Sequence, residues 1–246
     1  MEAARVSGKA LQLLGHSLSL PNCKMLFLLP FAFITLTTAQ QVGTWQSENH
    51  PKLTWKKCTP SACESVNGEI TLDANWRWLH ETGNSAYNCF DSSGWDTRRC
   101  DTAENCTATC ALDGADYKRS YGISTANSSI SLSYVTRVDF GKNVGSRVYL
   151  LESVNKYQMF TLLGNEFAFD VNMSNVGCGL NSALNFVAMD EDGGMAKYPT
   201  NKAGAEYGTG YCDATCSRGQ RFVGGKVRHP VLKVGSDVDR DDAGEQ

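Results

Sequence analysis

The sequence carries no block of lysine or arginine, and its formal net charge is only −3. A surface for nucleic acid or another polyanion is not expected, because such binding rests on clustered positive charge. Membrane-spanning length is also missing. The apolar run Leu26–Leu36 is well short of the ~20 residues that a helix across a bilayer needs. Beyond that run no segment has a sustained helical period, which argues against a helical bundle. Metal-ligand spacing is absent too: Cys212 and Cys216 have no matching pair downstream and only His229 nearby, so zinc is not expected. Asp190, Glu191 and Asp192 lack the spaced oxygens of an EF-hand and read as a solvated hairpin turn. Gly208-Thr209-Gly210 is not followed by Lys-Ser/Thr, which excludes a phosphate loop. No cofactor is implied.

What is present points outside the cell. Lys24 precedes the apolar run, and Thr37, Thr38 and Ala39 supply the small residues of a signal-peptidase site. Cleavage after Ala39 would leave a mature chain beginning at Gln40, and residues 1–24 read as an upstream extension from an over-extended start site. In a secreted chain ten cysteines mean disulfides rather than zinc or catalytic thiols. Cys23 lies before the cleavage site, so an odd number remains; either one thiol is free or some partners are missing. Sequons at Asn105, Asn127 and Asn172 each predict a glycosylated surface position.

With 41% hydrophobic and 20% charged residues, one globular domain is allowed. Asn67-Gly68 reads as a turn opening a strand over Glu69–Trp78, and 84–110 reads as loop. Further strands are expected over Ser131–Phe140, Arg147–Glu152, Tyr157–Leu163, Glu166–Met173 and Ala183–Met189, with connections at 141–145, 153–156 and 164–165. In Glu166–Met173 the side chains of Phe167, Phe169 and Val171 would face one way, as a half-buried antiparallel strand requires. Many short strands with turn signals indicate an all-β chain, a sandwich or jelly roll.

Trp76 and Trp78 are two apart on the expected strand, so both would point to one face, with Asp73, Asn75 and Arg77 on the other. Indole rings either fill a core or stack on the apolar faces of sugars. The loop-rich stretch Gly177–Cys216, with its glycines, tyrosines and acidic turn, suits a surface that grips a large hydroxylated ligand. A retaining glycosidase also needs two carboxylates about 5–5.5 Å apart. Asp190 and Asp192 have the spacing but sit in the turn. The residues alone thus describe a secreted, disulfide-stapled β-sandwich that binds carbohydrate.

A series of longer stretches is more specific: QQVGTWQSENHPKLTWKKC, ITLDANWRW, the cysteine loop ending Cys106-x-x-x-Cys110 with Ala-Leu-Asp-Gly, FTLLGNEFAFDV, and CGLNSALNFVAMDEDGGMAKYPTNKAGAEYGTGYCDATC. Together, from Gln40 to about Gly225, they closely resemble the fungal cellulases of glycoside hydrolase family 7, and cellobiohydrolases more than endoglucanases. The resemblance implies a β-jelly roll of two curved antiparallel sheets around a cellulose tunnel, cellulose or cello-oligosaccharides as partner, and a monomer. It implies that Trp76 and Trp78 are sugar-stacking platforms and that Arg147, Asn181, Tyr211 and Asp213 hydrogen-bond the glucan. Arg221 stands where a lysine is usual, Asn185 where tyrosine is usual, and Gly219 where relatives can carry aspartate. Disulfides implied by the same motifs are Cys58–Cys63, Cys89–Cys110 and Cys100–Cys106, whereas Cys178, Cys212 and Cys216 would need cysteines further downstream.

The family's nucleophile and acid/base lie in a Glu-x-Asp-x-x-Glu motif, and this sequence contains none. Residues 226–246 read as an unrelated polar tail, disordered in character and consistent with translated intron. The expectation is an N-terminal part of a cellulase domain, without activity as written and with apolar faces exposed. The alternatives are a non-catalytic cellulose-binding protein and a non-functional gene-model fragment.

Overall fold

The strand Cys63–Leu72 is the axis about which the chain is built. It pairs antiparallel with Lys52–Cys58, from Cys58 opposite Cys63 to Lys52 opposite Glu69. Its C-terminal end pairs with Val148–Ser153, from Leu151 opposite Glu69 to Val148 opposite Leu72. Lys156–Tyr157 completes a four-stranded antiparallel sheet. The computed structural model describes residues 40–139, 141–212, 221–223 and 226–227, all within one compact unit, Thr37–Gln246. The expected signal segment, residues 1–24 and most of the tail lie outside the described residues.

Asn67-Gly68 is not a turn but lies mid-strand, opposite Thr54 and Leu53. A Cβ on Gly68 would come within 3.0 Å of the Leu151 carbonyl and of Leu150 Cδ1, so glycine here serves close strand packing. The reversal occurs earlier, at Thr59–Ala62, where the Thr59 N–H donates to the Ala62 carbonyl at 2.8 Å and the Cys58–Cys63 disulfide closes the hairpin.

A second four-stranded sheet has the order Gln41–Val42, Cys110–Leu112, Leu79–Glu81, Asn84–Asn88, its first pair parallel and the others antiparallel. Its strand Asn84–Asn88 lies within the region expected to be loop, and two disulfides, Cys89–Cys110 and Cys100–Cys106, staple the sheet. The second holds Cys106 of a short helix, Ala103–Thr109, whose N-terminus is capped by the Thr102 hydroxyl accepting from the Asn105 N–H. Leu79, Leu112, Ala74, Ala203 and Tyr207 pack with these cystines into one core. Ile70, Leu72, Ala115, Tyr117, Tyr121 and Ile123 form another. Tyr117–Tyr121 is a single helical turn, capped by Asp116 and ended by Gly122 in the left-handed region.

The later strands depart from expectation. The segment from Ser131 is split between two hairpins, Ile123–Ala126 with Ser129–Leu132 and Val135–Val138 with Gly141–Val144, so the expected connection at 141–145 is itself strand. Only Lys156–Tyr157 pairs in the Tyr157–Leu163 region, and Glu166–Met173 and Ala183–Met189 form no strand. Phe160, Phe167 and Phe186 cluster edge to face at 5.0–6.0 Å, yet all three stay exposed, as do Phe169, Val171 and Leu163. Alternation alone cannot hold a strand when no neighbouring strand accepts its hydrogen bonds and no layer covers its apolar face. Lys226–Val227, at the start of the expected tail, by contrast pair antiparallel with Phe222–Val223.

Cys212 is disulfide-bonded as well, and among the described residues Cys178 is the free cysteine. Asn127 occupies the exposed hairpin turn with positive φ, and Asn172 is exposed. Asn105 is half-buried in its helix, with its amide donating to Asp101 at 2.7 Å.

One buried ionic network joins the parts. The guanidinium of Arg77, without solvent exposure, pairs with Glu48 at 2.6 and 3.1 Å. It also donates to the carbonyls of Leu72, Tyr207 and Asp113 and to the Thr71 hydroxyl, at 2.9–3.3 Å. Glu48 further accepts from the Tyr117 hydroxyl and the Ala115 N–H. His50 bridges Glu48 at 3.1 Å and Glu69 at 3.2 Å. Burial pushes the Glu48 carboxyl up, but the hydrogen bonds from His50 and Arg77, with the charge of Arg77, outweigh it and hold the group at about 2. Burial opposes charging of His50, and the hydrogen bond and charge of Glu48 reverse that, raising it above 6.5.

Two outcomes are expected. Glu48→Gln, which leaves a buried guanidinium without its counter-charge, should cost about 3–5 kcal/mol in urea unfolding followed by tryptophan emission. Glu48 contributes stability above its ordinary 4.5 that is lost as pH falls toward 2, while the contribution of His50 is full below 6.5 and is lost as pH rises through its raised value. The urea midpoint should therefore peak at about pH 5–6 and fall on both sides.

Candidate functional site

At Leu72 the long strand ends, and Asp73 turns the chain. Its Oδ1 accepts from the Asn75 N–H at 2.7 Å and its carbonyl from the Trp76 N–H at 3.1 Å. A short carboxylate bonding its own backbone two residues on competes with the sheet ladder and ends the strand. Trp76 and Trp78 therefore do not sit on a strand, and period-two alternation is not what places them. The turn nonetheless buries Arg77 while leaving both indoles half-buried.

Trp76 packs partly against the core around Ile70, Leu72 and Tyr117, and its Nε1 donates to the Val144 carbonyl at 3.3 Å. One part of its ring is thus packed and another left open. Arg147 immediately precedes the strand Val148–Ser153, with its guanidinium carbon 5.2 Å from the Trp76 ring centroid and 3.7 Å from that of Tyr211. Its Nε donates to Asp73 Oδ2 and to the Tyr149 hydroxyl, both at 2.9 Å. Tyr149 in turn donates to Asp73, and its ring neighbours those of Tyr157 and Tyr211 at 5.4 and 6.1 Å. Burial, then the Asp73 charge, raise the Tyr149 phenol well above its ordinary value, so it remains a donor. The charge of Asp73 overcomes burial and keeps Arg147 firmly protonated.

Arg221 is tied to the same turn. Its backbone N–H donates to Asn75 Oδ1 at 2.8 Å and its guanidinium to the carbonyls of Arg77 and Ala74 at 3.2 and 3.4 Å. Burial lowers it to about 10. A forked guanidinium can serve two carbonyls at once, which the single ammonium of a lysine does less well. Trp78 stands at the start of the second sheet, with its Nε1 donating to Asn88 Oδ1 at 2.7 Å. Trp76, Arg147 and Tyr211 are thus brought together, Arg221 joins them through the turn, and Trp78 lies two residues further on. Asn181 is exposed, on a segment without strand pairing, as is Asn185. Asp213 and Gly219 lie outside the described residues.

Sequence reasoning missed Asp73, Asn75 and Tyr149. Tyr149 was within reach, since it shares a strand face with Arg147 two residues away. The part Asp73 plays in the turn depended on recognising an Asp-x-Asn turn where a strand was expected. Asp192 is also used locally, accepting from the Gly194 and Ala196 N–H groups at 2.8 and 2.7 Å. The sulfurs of Cys89, Cys100 and Cys110 lie within 4.8 Å of one another, but each is in a disulfide and offers no metal site.

Comparison with known proteins bears directly on this arrangement. Residues 42–244 match the model of "Glycosyl hydrolase family 7", a span that takes in most of the polar tail. A cellobiohydrolase from Melanocarpus albomyces, solved with cellotetraose, is 55% identical with a TM-score of 0.72, over 76% of this chain and 43% of that one. A family 7 cellobiohydrolase from Daphnia pulex is 45% identical with a TM-score of 0.73, over 76% and 43%. The endocellulase EGI of Humicola insolens is 33% identical with a TM-score of 0.65, over 76% and 47%. The chain therefore spans less than half the length of these structures. The shared architecture is the jelly-roll β-sandwich, and the chain belongs to glycosyl hydrolase family 7.

Proposed function

We propose that this chain presents a binding wall for a β-1,4-glucan and that its function, by family, is that of a secreted cellulase of the cellobiohydrolase kind. One observation carries the reading: the Arg147 guanidinium held between the Trp76 and Tyr211 rings and locked from behind by Asp73 and Tyr149. A sugar ring offers apolar C–H faces and a rim of hydroxyls, and this cluster offers aromatic faces beside fixed donors. In this reading Trp76 and Trp78 stack on glucose units. Arg147, Tyr211, Asn181 and Asp213 hydrogen-bond hydroxyls, and Arg221 braces the turn and extends the positive edge. The higher identity to cellobiohydrolases than to the endocellulase supports the finer assignment.

Hydrolysis with retention needs a carboxylate nucleophile and a carboxylic acid flanking the bond. The sequence holds no Glu-x-Asp-x-x-Glu motif, and the carboxylate in the cluster, Asp73, is engaged by Arg147, Tyr149 and the Asn75 N–H. We infer that the 246-residue chain binds glucan without cleaving it. Secretion after cleavage at Ala39, with glycans at Asn127 and Asn172, belongs to the same proposal, as does a monomeric folded state.

Trp76→Ala should weaken cellotetraose binding roughly tenfold, read by tryptophan quenching, because a stacked ring contributes about 0.5–1.5 kcal/mol beyond its buried area. Unchanged binding would remove the platform from the reading. Purified chain incubated with cellulose should release no cellobiose, and release would overturn the inference of binding alone.

A further inference from the structure

Trp78 has two supports that neither the turn nor the core cluster explains. The His80 ring lies against it, centroids 4.4 Å apart and planes tilted by 43°. The indole N–H is held by Asn88, which stands directly opposite His80 in the register of the second sheet. His80 is itself clamped on both sides. Its Nε2 lies 2.6 Å from Asp113 Oδ2 and its Nδ1 2.9 Å from the Glu81 carbonyl. Both ring nitrogens are thus engaged, which fixes the plane of the imidazole.

Asp113 is equally constrained. Its Oδ1 accepts from the Gln46 and Gly114 N–H groups, both at 2.9 Å, and its side chain is fully buried. Two glycines let the N-terminal segment close over the pair. A Cβ on Gly43 would lie 2.7 Å from Asp113 Oδ2 and 3.0 Å from His80 Nε2, and one on Gly114 would lie 2.2 Å from the Gln46 carbonyl. A hydrogen bond sealed from water in this way is strong and geometrically definite. The imidazole is therefore held in one orientation beneath the Trp78 ring.

We propose that His80, locked by Asp113, is a positioning residue that sets the tilt of the Trp78 indole, with Asn88 fixing its edge, so that the ring is preorganised to receive a glucose face. This rests on the reading of Trp78 as a sugar platform, but the positioning itself can be measured without sugar. An indole free to rotate must be ordered on binding, and part of the stacking is lost to that ordering.

The test compares His80→Gln, Asn88→Ala and Trp78→Phe, and the double variants carrying Trp78→Phe, in the full chain. The Trp78 contribution to emission is taken as the difference from Trp78→Phe. It should change in yield and anisotropy with His80→Gln and with Asn88→Ala. Cellotetraose binding should weaken by about 2- to 10-fold in each, the range expected of one aromatic contact, and neither substitution should weaken it further once Trp78 is Phe. An unchanged Trp78 emission in both variants would overturn the proposal, as would equal losses of binding with and without Trp78. If Trp78→Phe itself binds cellotetraose like the parent, the platform reading fails while the emission result still decides whether the indole is positioned. Asn88 is exposed, so its variant keeps the test open should His80→Gln not fold.

Discussion

One buried guanidinium ties together the end of the long strand, the second sheet and the turn that carries both indoles. Arg77 is removed from water, and a charge in that position is tolerable only with a counter-charge and a full set of acceptors. Glu48 supplies the first, and the carbonyls of Leu72, Tyr207 and Asp113 supply the second. Those acceptors come from the end of the long strand, the 3-10 turn Ala205–Tyr207 and the start of the segment after Cys110–Leu112. Three distant stretches must arrive together for any one of them to be satisfied. Because Arg77 lies between Trp76 and Trp78, the same pin that closes the core also holds up the two indoles.

The loop that follows is ordered on the same principle. Asn201 is buried and donates to the Gly193 carbonyl and the Thr209 hydroxyl at 2.9 Å, while its Oδ1 accepts from Ala203 and Gly204. Tyr157 reaches across to the Thr209 carbonyl at 2.7 Å. Gly208, at φ 72°, could not carry a Cβ, which would lie 2.1 Å from the Leu72 carbonyl. These polar contacts bring residues 190–211 down onto the long strand and deliver Tyr211 to Arg147. Residues 159–187 have no such anchors, and there the apolar side chains remain exposed. The contrast separates a loop satisfied by its own hydrogen bonds from would-be strands that need a neighbour they do not have.

Much of the architecture was legible because it is local. The β-rich class follows from short alternating runs, and the strand Val148–Ser153 lies within a residue of where alternation put it. What was not legible depended on competition between elements. Glu69–Trp78 reads as one strand until the carboxylate of Asp73 captures the Asn75 N–H. Asn67-Gly68 carries the strongest turn signature in the region, yet pairing with Lys52–Cys58 overrides it. The role of Asp73 was hidden for another reason: its meeting with Arg147 depends on the register of two strands far apart in the sequence.

By itself, then, the sequence determined an all-β chain rich in cysteine, the identity of the aromatic residues Trp76, Trp78 and Tyr211, and, through longer motifs, the family. Those are properties of residue type and short spacing. Only the tertiary structure decided which of these groups meet. Arg147 lies between rings that are 71 and 64 positions away along the chain, counted from residue numbers 147, 76 and 211. Such meetings are dictated by where a buried charge finds its acceptors and where a strand finds a partner, and neither is written in any single stretch of the chain.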